Sequence, residues 1–134
     1  MKAVVDTRFF IDSLTIEDRQ FQNWSRTILQ TLQKTGNLGI IPSIVIHEFY
    51  KFLLKNLGKD VAELQTASVL RLDFEVANLD VPIAVEAAKL RCSYAELPTA
   101  DAVIAATAIV LDSDCVLTDD KHIGQIREVK TKWI

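Results

Sequence analysis

Apolar residues along this chain fall in short unbroken runs, alternating with longer stretches in which they recur at spacings of three and four. Ala3-Val4-Val5 is a short apolar run that ends at Asp6, the pattern of a buried strand. Thr7 to Leu14 reads as a first helical segment, packed through Phe9, Phe10 and Leu14. Glu17 to Lys34 reads as a longer helix carrying Phe21, Trp24, Ile28 and Leu32 on one face. Gly36 and Gly39 bracket its end. Leu38 to Ile41 is a second strand, cut by Pro42, and Ser43 is a candidate N-cap for a helix through Leu57 that stops at Gly58. Val61 to Leu72 follows as a helix, and Phe74 to Leu79 alternates like a third strand. Pro82 opens a helix reaching about Ala95. Pro98-Thr99 precedes Ala100 to Leu111, which is almost wholly apolar and therefore central. Cys115 to Thr118 is a fourth strand, Lys121 to Ile126 a short helix, and Glu128 to Trp133 a last strand. Strands alternating with helices imply an α/β fold in three layers, with helices on both faces of a mainly parallel sheet of four to five strands. No linker or repeat interrupts the pattern, so residues 1–134 are expected to form a single domain.

Composition narrows the class. Hydrophobic residues make up 49% of the 134, charged residues 25%, and the mean hydropathy is +0.18, which excludes a disordered chain. Acids outnumber bases by 18 to 15, giving a formal net charge of −3, so the totals do not suggest a strongly basic nucleic-acid binder. Cys92 and Cys115 form no CxxC pair and read as two buried, reduced thiols. No apolar stretch precedes the first acid as a signal peptide would require, and the longest apolar run, Ala102 to Leu111, is too short to span a bilayer. A soluble cytoplasmic protein without membrane contact is expected.

The acids carry the candidate chemistry. In an open parallel sheet, ligands bind beyond the carboxyl ends of the strands, where the strand order reverses. Asp6 ends the first strand and Asp119-Asp120 follow the fourth. Asp101 lies in the first turn of the most apolar helix, and Glu48 sits among Val45, Ile46, Phe49 and Phe52. Taken singly, Asp6 and Asp119 or Asp120 could be helix caps, and Asp101 could complement a helix dipole. Glu48 is harder to explain that way, because a carboxylate among apolar neighbours needs compensation. Four acids near one sheet edge would repel one another unless a cation is present, and hard ions such as Mg²⁺ or Mn²⁺ take oxygen ligands of this kind.

Other motifs fail. His47-Glu48 begins like a zinc-protease helix, but Lys51 stands where the second His belongs. The glycines form neither a P-loop nor a dinucleotide fingerprint. A haloacid-dehalogenase-like phosphatase wants a second Asp where Arg8 stands, and a phosphoreceiver domain wants an acid pair that is missing here, although Asp80 could mimic its accepting residue.

Four segments carry a family resemblance: AVVDTRFFI at 3–11, IPSIVIHEFYKFL at 41–53, LPTADAVIAATAIV at 97–110 and VLTDDKHI at 116–123. In order, spacing and total length, the chain resembles the PIN-domain family of metal-dependent ribonucleases, especially its small VapC-like toxins. The third segment is the most specific. The resemblance places the family's catalytic, metal-binding acids on Asp6, Glu48, Asp101 and Asp120, with Asp119 as a supporting metal ligand. It gives Thr118 a role beside a metal water or a phosphate. Arg8 departs from the usual Ser or Asn, and could touch phosphate, pair with Asp120 or point to solvent. Ile123 replaces the usual Phe. Lys121 and His122 could contact RNA phosphate or be solvated, and His47 and His122 read as non-ligands. Lys51, Lys55 and Lys59 form one helical stripe, either a solvated face or a rim that guides RNA backbone.

The implied activity is endonucleolytic hydrolysis of RNA phosphodiester bonds with Mg²⁺ or Mn²⁺, leaving 5′-phosphate and 3′-hydroxyl ends. The alternative is a non-catalytic module of the same fold that binds RNA or a partner protein. The resemblance also implies a homodimer and, for toxin members, a small antitoxin that blocks the site. Residues 43–72, with Phe49, Phe52, Leu53, Leu54 and Leu57, carry more apolar residues than one helix face usually buries and are the expected dimer surface. Without the four site acids, 14 acids face 15 bases, so the acidic total does not argue against a nucleic-acid substrate.

Overall fold

A computed structural model describes residues 1–134. Five strands form one all-parallel sheet: β1 (Lys2–Val5), β2 (Leu38–Pro42), β3 (Glu75–Ala77), β4 (Cys115–Leu117) and β5 (Thr131–Lys132), in spatial order β3-β2-β1-β4-β5. Between them run α1 (Thr7–Thr15), α2 (Arg19–Leu32), α3 (Ser43–Leu57), α4 (Lys59–Leu70), α5 (Val81–Ser93), α6 (Thr99–Val110) and the short α7 (Lys121–Gly124). This is the expected α/β/α arrangement. β1 has no polar alternation because helices cover both faces of a parallel sheet, and Ala3, Val4 and Val5 are fully buried. Two apolar clusters hold the layers. The larger joins α1–α4 to β1, β2 and β4, and the smaller ties α5 to α6. Seven consecutive residues of α6, Ala102 to Ala108, are buried, as its composition implied. No helix is long and apolar enough to cross a membrane.

Several local expectations change. Ser43 is not a cap. β2 passes straight into α3 with Pro42 at the cap position and no side-chain bond to the helix, so Ser43 is already helical. α6 starts one residue earlier than the pattern suggested, at Thr99, with Pro98 at its cap position and no side-chain bond to the helix. β3 and β5 are shorter than the patterns suggested because both are edge strands with one neighbour each. Cys115 is buried, but Cys92 is exposed. The buried stripe of α5 runs through Ile83, Ala87 and Leu90, and position 92 falls off it. The apolar excess of α3 has a partly internal explanation. α3 packs against α1, α4 and α6, so Phe49 and Leu53 lie in the core, and only Leu54 and Leu57 of the five remain exposed.

Two glycines do separate jobs. Gly36, at φ +87°, makes the left-handed turn out of α2. Gly39 lies inside β2, where an added Cβ would come within 2.6 Å of the Phe74 ring. Gly39→Ala is therefore expected to destabilise the fold by about 1–3 kcal/mol through overpacking. Urea unfolding would show a lower midpoint at an unchanged slope. An unshifted midpoint would mean that the ring moves freely.

Candidate metal centre

The strand order reverses at β1, which lies between β2 and β4, and this opens a crevice at the carboxyl ends. Asp6 sits at that point, and its backbone N–H still donates across to Leu117 (3.3 Å). The residue is only 4% exposed. One oxygen accepts from the Thr7 N–H at 2.7 Å, and the other accepts from the Thr118 hydroxyl at 2.6 Å. Thr118 Oγ1 in turn accepts from the Asp120 N–H at 3.0 Å. One hydroxyl at the end of β4 thereby locks two acids from different strands into one register. Asp120 Oδ1 caps α7, accepting from the His122 and Ile123 N–H groups at 2.8 and 3.2 Å. Glu48, half-buried on α3, accepts the Thr7 hydroxyl at 2.7 Å through Oε1. Asp101, on the first turn of α6, has His122 Nδ1 at 3.7 Å.

All four acids line one cavity of about 650 Å³. Its walls also carry Arg8, His47, Lys51, Lys55 and Asn56 as polar groups, and Ile11, Ile44 and Phe52 as apolar ones. The convergence of negative charge shows in the protonation equilibria. Burial pushes Asp6 up to about 6 against the opposing hydrogen bonds from Thr118 and Thr7, and the nearby Asp120 and Glu48 push it further. Burial also raises Asp101 to about 7, reinforced by Asp120, Asp6 and Glu48 and opposed by His122. Carboxylates held together in this way call for protons or a cation. The donor set is hard oxygen, and lone pairs remain on Asp101, Asp120 and Glu48, so the residues fit a divalent ion such as Mg²⁺ or Mn²⁺.

The other candidates separate clearly. Asp119 does not line the cavity. It pairs with Arg8 at 3.3 Å, with the two side chains 38% and 50% exposed, a contact worth little in stability. Arg8 therefore pairs with Asp119 rather than Asp120, although it borders the cavity. Thr118, read above as a contact for phosphate or a metal water, is 1% exposed, and its hydroxyl is spent between Asp6 and Asp120. It holds the two acids in place. Lys121 is exposed at the start of α7, outside the cavity wall. Lys51 and Lys55 reach the wall, whereas Lys59 turns to Glu63 at 3.9 Å. Two residues gain importance that the pattern alone did not give them. Thr7, the first residue of α1, ties that helix to Glu48 on α3, and His122 faces Asp101 and Asp120 together. Only their positions, one residue after Asp6 and two after Asp120, hinted at this.

Solved structures with this fold share the architecture over nearly their whole length. One is a Rickettsia felis VapBC2 complex bound to a promoter DNA fragment, at 16% identity and a TM-score of 0.80, covering 100% of this chain and 99% of that one. Another is Mycobacterium tuberculosis VapC20, described as a Sarcin-Ricin loop cleaving toxin, at 16% identity and a TM-score of 0.73, covering 95% and 98%. A toxin–antitoxin complex from Klebsiella pneumoniae matches at 25% identity and a TM-score of 0.67, covering 98% and 99%. No curated protein sequence matches significantly. The family model described as PIN domain matches residues 3–129, a span that takes in every residue lining the acidic cavity. The chain belongs to the PIN-domain family.

Proposed function

We propose that this protein is a divalent-metal-dependent endoribonuclease and the toxin of a toxin–antitoxin pair. The observation that carries the reading is the four-acid cavity at the sheet's reversal point, with Asp6 and Asp101 pushed towards neutral pKa values and lysines on the rim. The name of one structural relative, a Sarcin-Ricin loop cleaving toxin, supports RNA as the substrate class. In this reading Asp6, Glu48, Asp101 and Asp120 hold Mg²⁺ or Mn²⁺. When bound, the ion supplies an activated water and stabilises charge on the phosphate. Thr118 and Thr7 keep the carboxylates oriented, so little rearrangement is needed before reaction. Lys51, Lys55 and Arg8 draw the RNA backbone towards the acids. The products carry 5′-phosphate and 3′-hydroxyl ends. A small antitoxin as partner is supported by structural relatives whose names describe toxin–antitoxin and VapBC complexes. A homodimer is supported by the exposed Leu54 and Leu57, and light scattering at micromolar concentration would test it.

The test is RNA cleavage by the purified, folded protein with Mn²⁺, which EDTA should stop. RNA binding that ignores metal, with no cleavage, would replace this reading with a non-catalytic module. The rim has its own test. Lys51→Ala with Lys55→Ala is expected to weaken binding of single-stranded RNA regardless of sequence. It should also flatten the slope of log affinity against log salt by about 1.4, at roughly 0.7 per phosphate contact. Fluorescence anisotropy over a salt series would measure both effects. An unchanged slope would mean that the stripe is only a solvated face.

A further inference from the structure

We propose that His122 is a direct ligand of the divalent ion through Nδ1, and that this nitrogen makes the site prefer Mn²⁺ to Mg²⁺. The proposal rests on the reading of the cavity as a metal centre. The backbone of residue 122 is fixed because its N–H donates to the Asp120 carboxylate at 2.8 Å. From there the imidazole turns inward. Nδ1 lies 3.5 Å from Asp120 Oδ1 and 3.7 Å from Asp101 Oδ2, facing acids that come from two different helix starts. Both distances are longer than a hydrogen bond. The Asp101 distance suits two atoms that share one ion, and because Asp120 Oδ1 already accepts two N–H bonds at the start of α7, Asp120 would ligate through its other oxygen. Bonds of about 2.1 Å place neighbouring octahedral ligands roughly 3 Å apart and opposite ones about 4.2 Å apart. Candidate ligand atoms from Asp101, Asp120 and His122 all fall within 4.8 Å of one another.

The choice of ion follows from donor chemistry. A purely carboxylate site gives Mg²⁺ and Mn²⁺ similar ligands, whereas an imidazole nitrogen favours transition metals over the strictly oxygen-seeking Mg²⁺. Ligation through Nδ1 leaves the ring proton on Nε2. The ring is 48% exposed, so an ion can reach it and its replacement leaves the core untouched.

The alternative is that the ring is an imidazolium paired with the two acids. The two roles predict opposite signs. A ligand lost by His122→Gln weakens Mn²⁺ binding by about tenfold, the low end of what a missing metal-site partner costs, and leaves Mg²⁺ nearly unchanged. A removed cation would instead tighten binding of both ions. The decisive measurement is pulsed electron paramagnetic resonance on the wild-type protein loaded with Mn²⁺ alone. A nitrogen modulation that disappears in His122→Gln is the expected result. Stoichiometric Mn²⁺ binding without that modulation overturns the role of His122 and leaves the metal centre standing. Failure of Mn²⁺ to bind at all by calorimetry overturns both.

Discussion

Asp101→Asn is expected to abolish RNA cleavage with Mn²⁺ and, in the same protein, to raise the melting temperature of the metal-free form. The two effects have one cause. Asp101 is held with an elevated pKa by burial and by three neighbouring acids, so its ionised form opposes folding. That unfavourable charge is what makes the position useful to a cation. Removing it should reduce turnover on the order of 10³-fold or more, the scale on which single transition-state stabilisers act. It should stabilise the empty fold at pH 7.5 by about 1–3 kcal/mol, because one pKa unit corresponds to about 1.4 kcal/mol and the side chain, 18% exposed, keeps part of its solvation. Asp6→Asn should be as inactive but gain less, because Asp6 already receives two hydrogen bonds that favour its charged form. Thermal melts and a cleavage assay on the same preparations would measure both sides. A variant that is inactive and also less stable would point to a structural role for Asp101.

The second large effect is a reversed dependence of stability on pH. Asp6 and Asp101 have folded pKa values of about 6 and about 7, against 3.8 for the unperturbed group. Between those limits the folded state binds more protons than the unfolded state, so these groups make stability fall as pH rises from about 4 to about 7. Below 3.8 both states are protonated and the contribution vanishes. Above 7 the penalty is constant. Subtracting the melting curve of the Asp6→Asn, Asp101→Asn double variant isolates this contribution from other titrations. Mn²⁺ should reverse it. Saturation at 100 times the dissociation constant adds about 2.7 kcal/mol, and more of this should appear at pH 7.5 than at pH 5.5 because protons compete with the ion. Calorimetry in buffers of different ionisation enthalpy should register proton release on Mn²⁺ binding. A wild-type minus variant difference that grows more favourable with pH would contradict this clustering of buried acids.

Parts of the site are legible before any fold is known. Asp6 ends an apolar run that can only be a covered strand, and Asp120 follows another, so both belong at the carboxyl edge of a parallel sheet. Glu48 stands out because a carboxylate amid Val45, Ile46 and Phe49 needs a reason. Asp101 is found by its place on the first turn of an apolar helix and by the family resemblance, since no local rule separates it from a dipole-compensating acid. The expected dimer surface was less readable. Counting apolar residues on α3 cannot tell that three other helices pack against it and bury Phe49 and Leu53.

What the sequence determined by itself is therefore what short-range periodicity encodes: the alternation of strands and helices, the parallel α/β class, and acids placed at strand ends and helix starts. The tertiary structure decided which of those acids meet. Sheet order puts β1 beside β4, and only that adjacency brings the Thr118 hydroxyl, 112 positions away in sequence, onto Asp6. The same packing sends Arg8 to Asp119, turns Asp120 into the cavity and aims His122 at Asp101. Such contacts depend on the relative placement of elements that share no local pattern, and a side chain's partner across the sheet leaves no mark on its own neighbours in the chain.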